Sequence, residues 1–281
     1  MRKTTINAYG KINLFLSVGA LRADRKHEVL TVLHRVGIYD TVTVSEKRSD
    51  GIKLTCSDKT LPTDGKNLAY AAAELYFEKA GIRYGIAIDI EKRIPSTAGM
   101  GGGSSDAAAV LTALNELYGA LSFNELHGIA SSLGADVPFF LYGVDAMLGA
   151  GCGTELTPCR GVGFPLFGVF VRYGVKKSTG AAYMALDEKK GDTPLLKTAD
   201  ALLAALEKND VSAVMGAIEN DFELISEHFG EVETALASFG AERSLLCGSG
   251  PTVCGLFLSE ADAENASKKL PYPSFVARIG A

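Results

Sequence analysis

Pro95-Ser96-Thr97-Ala98-Gly99-Met100-Gly101-Gly102-Gly103-Ser104-Ser105-Asp106 runs without a break into Ala107-Ala108-Ala109. Four glycines in five positions free the backbone to take φ > 0 and to approach a ligand closely. Past the glycines, the spacing predicts a helix that begins near Ser104 and continues through Ala108, Leu111, Leu114 and Leu117 to Gly119. The first N–H groups of such a helix lack intrahelical partners, and with the positive end of the helix dipole they form a phosphate site. Ser104 and Ser105 add hydroxyls that can donate to phosphate or help hold a phosphate-bound Mg²⁺. A flexible glycine turn capped by serine is the plainer reading, but a mere linker needs neither two serines nor an Asp at the helix mouth. No G-x-x-x-x-G-K-[ST] occurs in the chain, and no G-x-G-x-x-G follows a strand. The loop is of neither the P-loop nor the dinucleotide-binding kind.

Outward from this loop, strands and helices are mixed rather than strictly alternating. Thr41–Ser45 and Ile86–Ile90 alternate large apolar with small or polar residues, as half-buried strands do. Cys56–Lys66 reads as a loop, Asn67 caps a helix that Gly81 ends, and Ser122 caps another that runs to Gly134. Further on, Pro165–Val171 reads as a buried strand. Helical patterns cover Ala199–Lys208, Val211–Glu219 and Phe222–Phe229. Ser244–Leu258 reads as strand, turn and strand, Glu260–Lys269 as helix, and Ser274–Ile279 as a closing strand. The glycines of Gly149–Gly163 suggest a boundary, taken as residues 1–158 and 159–281.

The 281 residues suffice for two mid-sized domains. With 47% apolar and 22% charged residues, disorder is excluded. The net charge, 28 − 33 = −5, argues against a broad polyanion-binding surface, hence against a nucleic-acid partner. No apolar run is long enough for a secretory signal or a membrane span. Cys56, Cys152, Cys159, Cys247 and Cys254 contain no C-x-x-C pair and read as free thiols. His34, His127 and His228 show no metal spacing and receive no role. The expectation is a soluble, cytoplasmic protein with no metal held by a cage of its own.

Pro95–Ala109 resembles the second motif of the GHMP small-molecule kinases, with Met100 where leucine is usual. Ala8-Tyr9-Gly10-Lys11-Ile12-Asn13-Leu14-Phe15-Leu16 resembles the first motif, and Cys247-Gly248-Ser249-Gly250-Pro251-Thr252-Val253-Cys254 the third, in the same order. The resemblance covers residues 8 to about 258. It implies an α+β, two-domain GHMP kinase fold. The N-terminal domain would be like the second domain of ribosomal protein S5, and the C-terminal domain ferredoxin-like. It implies ATP as phosphoryl donor, with Mg²⁺ bound mainly through the ATP phosphates. Residues Pro95, Ser96, Thr97, Ala98, Gly99, Met100, Gly101, Gly102, Gly103, Ser104 and Ser105 would contact ATP, and Gly248, Ser249 and Gly250 would lie near the phosphates.

The triple glycine, the Lys-Ile-Asn-Leu run and Leu133–Phe140 narrow the implied acceptor to the 2-hydroxyl of 4-diphosphocytidyl-2-C-methyl-D-erythritol, in the non-mevalonate isoprenoid pathway. Another small alcohol, such as homoserine, mevalonate or a sugar, is the alternative. By resemblance Asp136 is the catalytic base and Lys11 stabilises developing charge. Read from sequence alone, Asp136 is as well a turn residue and Lys11 a solvated strand charge. Asn13, two residues from Lys11 and on the same strand face, would contact the erythritol part. The family's Asp-Gly-Tyr-His-Glu becomes Asp24-Arg25-Lys26-His27-Glu28, so Lys26 replaces a base-stacking aromatic while His27 keeps the cytosine edge. Thr179 and Tyr183 match the second aromatic segment, with Tyr183 reading equally as a core aromatic. A small-molecule substrate is the partner expected, and a homodimer is left open.

Overall fold

The computed structural model describes residues 1–83, 85–174, 178–191 and 195–280. Two strands far longer than the usual five or six residues open the chain, β1 (Lys3–Leu21) and β2 (His27–Glu46). They are followed by β3 (Gly51–Cys56), α1 (Leu68–Ala80), β4 (Gly85–Glu91), α2 (Gly102–Tyr118), α3 (Phe123–Leu133), α4 (Val137–Leu141), β5 (Ala146–Ala150) and β6 (Glu155–Pro158). Next come β7 (Phe167–Arg172), α5 (Thr179–Lys190), α6 (Asp200–Lys208), α7 (Val211–Ala217), β8 (Glu219–Asn220) and a 3-10 turn over Asp221–Ile225. The chain ends with α8 (Phe229–Ser238), β9 (Arg243–Leu246), β10 (Thr252–Phe257), α9 (Glu260–Lys269) and β11 (Ser274–Arg278). The α+β expectation holds.

The described residues form two units. The first comprises Met1–Gly10, Ile38–Ser96 and Gly101–Gly143. The second comprises Lys11–Gly37, Thr97–Met100 and the described residues from Val144 on. In the first, β4 lies between β3 and β2, parallel to β3 (Leu54↔Ile88) and antiparallel to β2 (Val42↔Ile90, Val44↔Ile88). The alternation read in the sequence sends Val42, Val44, Ile86, Ile88 and Ile90 into the core, while Thr43 and Asp89 face outward. Helices α1 and α2 cover that apolar face. Ala72, Ala73, Tyr76 and Phe77 of one join Ala107, Ala108, Val110, Leu111 and Leu114 of the other, and the alanines permit close approach. Each fully buried isoleucine contributes roughly 1.5–3 kcal/mol. The caps are those expected. Asn67 Oδ1 accepts from Ala69 N at 3.0 Å, Gly81 takes the left-handed conformation, and Ser122 forms a capping box with Glu125.

In the second unit, an antiparallel sheet has the order β11-β7-β10-β9. Val169, Val171, Leu246 and Val253 of this sheet share a core with Phe229, Val232 and Leu236 of α8 and Ala263 and Ala266 of α9. In the same unit β5 pairs antiparallel with β2 (Val32↔Leu148), and β8 runs parallel to β1 (Phe15↔Glu219). His34 is fully buried here, with Nδ1–H donating to the Arg35 carbonyl at 2.9 Å and Nε2 accepting from Val162 N at 3.0 Å.

One helix is shifted from its expected position. Phe222, Ile225 and Phe229 have helical spacing, yet only a 3-10 turn spans Asp221–Ile225, and α8 starts at Phe229. The reason is local. Asn220 Oδ1 caps Phe222 N at 3.0 Å, and the Asp221 carboxylate is committed to Val18 N at 2.7 Å, so the segment is fixed by long-range partners. Among the described residues, no helix is long and apolar enough to cross a membrane.

Candidate active site

The glycine loop leads into α2 through residues in the left-handed region: Thr97 (φ 61°), Gly99 (76°) and Gly101 (72°). Gly101 is the N-cap and supplies no side chain, and the first helical bond runs from Ser105 N to Gly101 O. The N–H groups of Gly102, Gly103 and Ser104 therefore face outward from the helix mouth, as an anion site requires. Gly103 is exposed, and a Cβ built there meets no atom within 4 Å. Ser105 is buried in the first turn, and its hydroxyl has no hydrogen-bond partner among the described residues. Ser96 Oγ donates to Asp58 at 2.8 Å, which fixes the start of the loop.

Within the second unit three segments meet: residues 11–16 of the first motif, Thr97–Met100 of the second, and the third motif. Lys11 N donates to the Met100 carbonyl at 2.9 Å. A Cβ on Gly99 would lie 2.1 Å from the Cys247 carbonyl oxygen, so only glycine fits. A Cβ on Gly248 would lie 3.1 Å from Gly99 O and 3.6 Å from Lys11 Nζ. The Lys11 ammonium is buried and donates to Asn13 Oδ1 at 2.9 Å, Asn13 Nδ2 donates to Thr31 Oγ1 at 2.8 Å, and Thr31 donates to the Phe15 carbonyl at 2.7 Å. This chain fixes the ammonium beside the glycine turns. The third motif is held from below by Asn220, whose Nδ2 donates to Leu246 O at 2.7 Å and Gly248 O at 2.8 Å. Arg172 Nη2 donates to Thr97 Oγ1 at 3.2 Å. Burial pushes the Cys247 thiol up to about 12, against the pull of the Lys11 charge.

The rings of His27 and Tyr183 stack, with centroids 4.8 Å apart and planes at 24°. Tyr183 also meets Phe222 edge-on at 5.0 Å. Asp187, which the sequence reading missed, accepts from His27 Nε2 at 3.0 Å. Its position four residues after Tyr183 puts it on the same helix face, and that spacing was the available signal. The end of α5 is anchored by Lys190, which donates to Asp221 Oδ2 at 2.7 Å and to the Val18 carbonyl at 2.5 Å. Thr179 is exposed at the start of α5, and Lys26 is exposed in a turn in which Lys26 N donates to Asp24 at 3.1 Å.

Asp136, in the first unit, is half-buried at the N-cap of α4, and its side chain does not cap that helix. Near the loop's entry, Lys92 Nζ contacts Asp40 at 2.5 Å and Asp106 at 2.6 Å. Burial, with the Asp40 charge adding to it, holds the Asp106 carboxyl above the ordinary carboxylate range against the pull of Lys92. Neither Asp40 nor Lys92 was singled out from sequence, because nothing local marks them. Among the described residues, no group of three His, Cys, Asp or Glu side chains is arranged to hold a metal.

Within the second unit, a glycine turn with a buried lysine beside it and a second glycine turn packed on the first are groups suited to holding phosphate. The GHMP kinases N terminal domain matches residues 67–144, and the GHMP kinases C terminal domain matches residues 197–273. The chain is 37% identical, over all of its length and 99% of the relative, to a 4-diphosphocytidyl-2-C-methyl-D-erythritol kinase of Geobacter metallireducens. It is 38% identical to the enzyme of the same name from Syntrophotalea carbinolica, over 95% of this chain and 96% of that one. A crystal structure of 4-(cytidine 5'-diphospho)-2C-methyl-D-erythritol kinase aligns with TM-score 0.80 and 33% identity, covering 99% of this chain and all of the other. Homoserine kinase from Cytophaga hutchinsonii shares the fold, at TM-score 0.73 and 19% identity over 100% of this chain and 96% of that one. The chain belongs to the GHMP kinases, a family of small-molecule kinases.

Proposed function

We propose that this protein transfers the γ-phosphoryl group of ATP to the 2-hydroxyl of 4-diphosphocytidyl-2-C-methyl-D-erythritol, in the non-mevalonate isoprenoid pathway. The observation that carries the reading is the convergence of Lys11, Asn13, Gly99 and Gly248 in one unit, in a chain whose full-length relatives bear that enzyme's name. Phosphoryl transfer passes through a loose transition state, so the protein's task is positioning and charge stabilisation. Residues Pro95 to Ser105 bind ATP, with the backbone N–H groups of Gly102, Gly103 and Ser104 donating to its phosphates, and Gly248, Ser249 and Gly250 lie near them. Asp136 takes the proton of the acceptor hydroxyl, and Lys11 steadies the negative charge that develops. Asn13 orients the erythritol part, while His27 and Tyr183 read the cytosine, with Lys26 and Thr179 at the margin.

The donor set suits Mg²⁺ carried on the ATP phosphates: the partnerless Ser105 hydroxyl can add one hard oxygen ligand, and no protein cage is needed. When bound, the ion neutralises phosphate charge. The same reading has the enzyme in the cytoplasm, with a small-molecule substrate and neither nucleic-acid nor membrane partners. The boundary proposed near residue 158 separates the two family matches.

Coupled ADP release tests the proposal, with the cytidine compound beside homoserine, mevalonate and galactose. Turnover on the cytidine compound alone is expected. The exposed Lys26, in place of a stacking aromatic, favours the second reading, a related kinase for another alcohol, and activity on one of the other acceptors instead would establish it. Asp136→Asn should lower kcat by about 10²–10⁴ and leave ATP binding intact. Loss of ATP affinity in that variant would remove Asp136 from the role of base.

A further inference from the structure

Lys92 has no part in the chemistry above, yet few side chains here are more constrained. It is almost wholly buried between two carboxylates, Asp40 Oδ2 at 2.5 Å and Asp106 Oδ2 at 2.6 Å. Asp40 also reaches the chain just before the glycine loop, Oδ1 accepting from Arg93 N at 2.5 Å and Ile94 N at 2.8 Å. Lys92 N donates to Ser57 Oγ at 2.8 Å, which fixes the same stretch from its other side. Asp106 belongs to the second turn of α2, the helix that leaves the loop. A Cβ on Gly102 would lie 3.3 Å from the Lys92 ammonium, so the charge sits directly under the helix mouth.

We propose that Lys92 is a positioning residue for the nucleotide: by bridging Asp40 and Asp106 it ties the strand end that enters the glycine loop to the helix that leaves it. A segment with four glycines in five positions has much backbone freedom to lose when it closes on phosphate, and fixing both of its ends removes part of that cost in advance. Stability alone gives little reason for the arrangement, since well-packed apolar side chains commonly replace a buried ion triad without loss. A bridge of charges does supply direction, because its hydrogen bonds set where each end must lie. The inference rests on reading the loop as the ATP site and is independent of the acceptor.

The test uses the full chain, with calorimetric titration of a non-hydrolysable ATP analogue, steady-state kinetics and thermal unfolding. Asp106→Leu keeps the shape and removes one arm of the bridge. The expected result is a rise of about tenfold in Kd and in KM for ATP, with acceptor KM and saturated kcat within about twofold. Unchanged affinity for the analogue, whatever happens to Tm, would overturn the proposal. The double variant Lys92→Met with Asp106→Leu leaves Asp40 its two backbone donors and should fold with Tm near that of the parent while affinity stays reduced. Recovery of parental affinity in it would also overturn the proposal. Should the double variant not fold, Asp106→Leu alone decides. Failure of the parent chain to bind the analogue would instead overturn the reading of the loop, a separate and recognisable outcome.

Discussion

Gly103→Ala separates two reasons for a glycine, the protein's own packing and the approach of a ligand. Position 103 lies in the first turn of α2, outside the left-handed region, and a Cβ there meets no protein atom within 4 Å. For the empty protein alanine is therefore the better residue, by roughly 0.5–1 kcal/mol of helix propensity and unfolded-state entropy. In a chain of this length that corresponds to a Tm rise of roughly 1–3 °C. For phosphate the same methyl group is an obstacle, because it projects where the unpaired N–H groups must be reached. Loss of one hydrogen bond to a charged oxygen costs about 1.5–3 kcal/mol, so KM for ATP should rise roughly ten- to a hundredfold. Gly128→Ala, in the middle of α3 and equally uncrowded, is the control, with a similar gain in Tm and unchanged KM. The assays are thermal unfolding without nucleotide and coupled ADP release at varied ATP. A stabilised Gly103→Ala protein with parental KM would refute the claim that this turn is kept bare for phosphate.

Gly99→Ala should do the reverse, lowering both Tm and kcat/KM, since φ is 76° and the new methyl would lie 2.1 Å from the Cys247 carbonyl. Displacing the turn by even 1 Å predicts a loss of about 10²-fold in kcat/KM, and parental kinetics would contradict the packing described. Burial lowers the pKa of His34, so folding favours its neutral form despite the Arg35 carbonyl and the Asp145 charge. Its contribution is full above the unfolded value near 6.5 and is lost as pH falls below it. As pH falls below about 6.5, urea unfolding should show a loss of stability that His34→Gln does not share. Lys26→Tyr should lower KM for the cytidine substrate about tenfold or more at similar kcat, from stacking worth about 1–3 kcal/mol. An unchanged KM would mean that base recognition does not pass through this position.

Local rules made much of the fold legible. Asn67, Ser122, Gly81 and Gly119 act through groups a few residues away, and the helices they bound lie where the sequence puts them. The strand around Val42 and Val44 was readable because one face is wet. By contrast, β1 buries an almost unbroken run from Ala8 to Gly19, which erases the alternation that marks a strand. The 3-10 turn after Asn220 was not legible because its determinants, Val18 and Lys190, are remote in sequence. The same holds for the site. The glycine motifs, Lys11 and Asp136 were visible through pattern and resemblance, and Asp187 was within reach of helical spacing. Asp40 and Lys92 lie 52 residues apart and have meaning only once β2 and the loop's entry are adjacent.

The Cys247 carbonyl packs against Gly99 so closely that no Cβ fits there, while its thiol is buried and held near pKa 12. Thiolate is the form that alkylating agents and peroxides attack, and at that pKa almost none exists at neutral pH. The sulfur of Cys247, which opens the third motif, is thus chemically silent. Cysteine-directed covalent inhibitors would find no handle there, and burial pushes the half-buried Cys159 thiol up to about 11 as well, so oxidant damage to this protein would begin at the half-buried Cys152 instead.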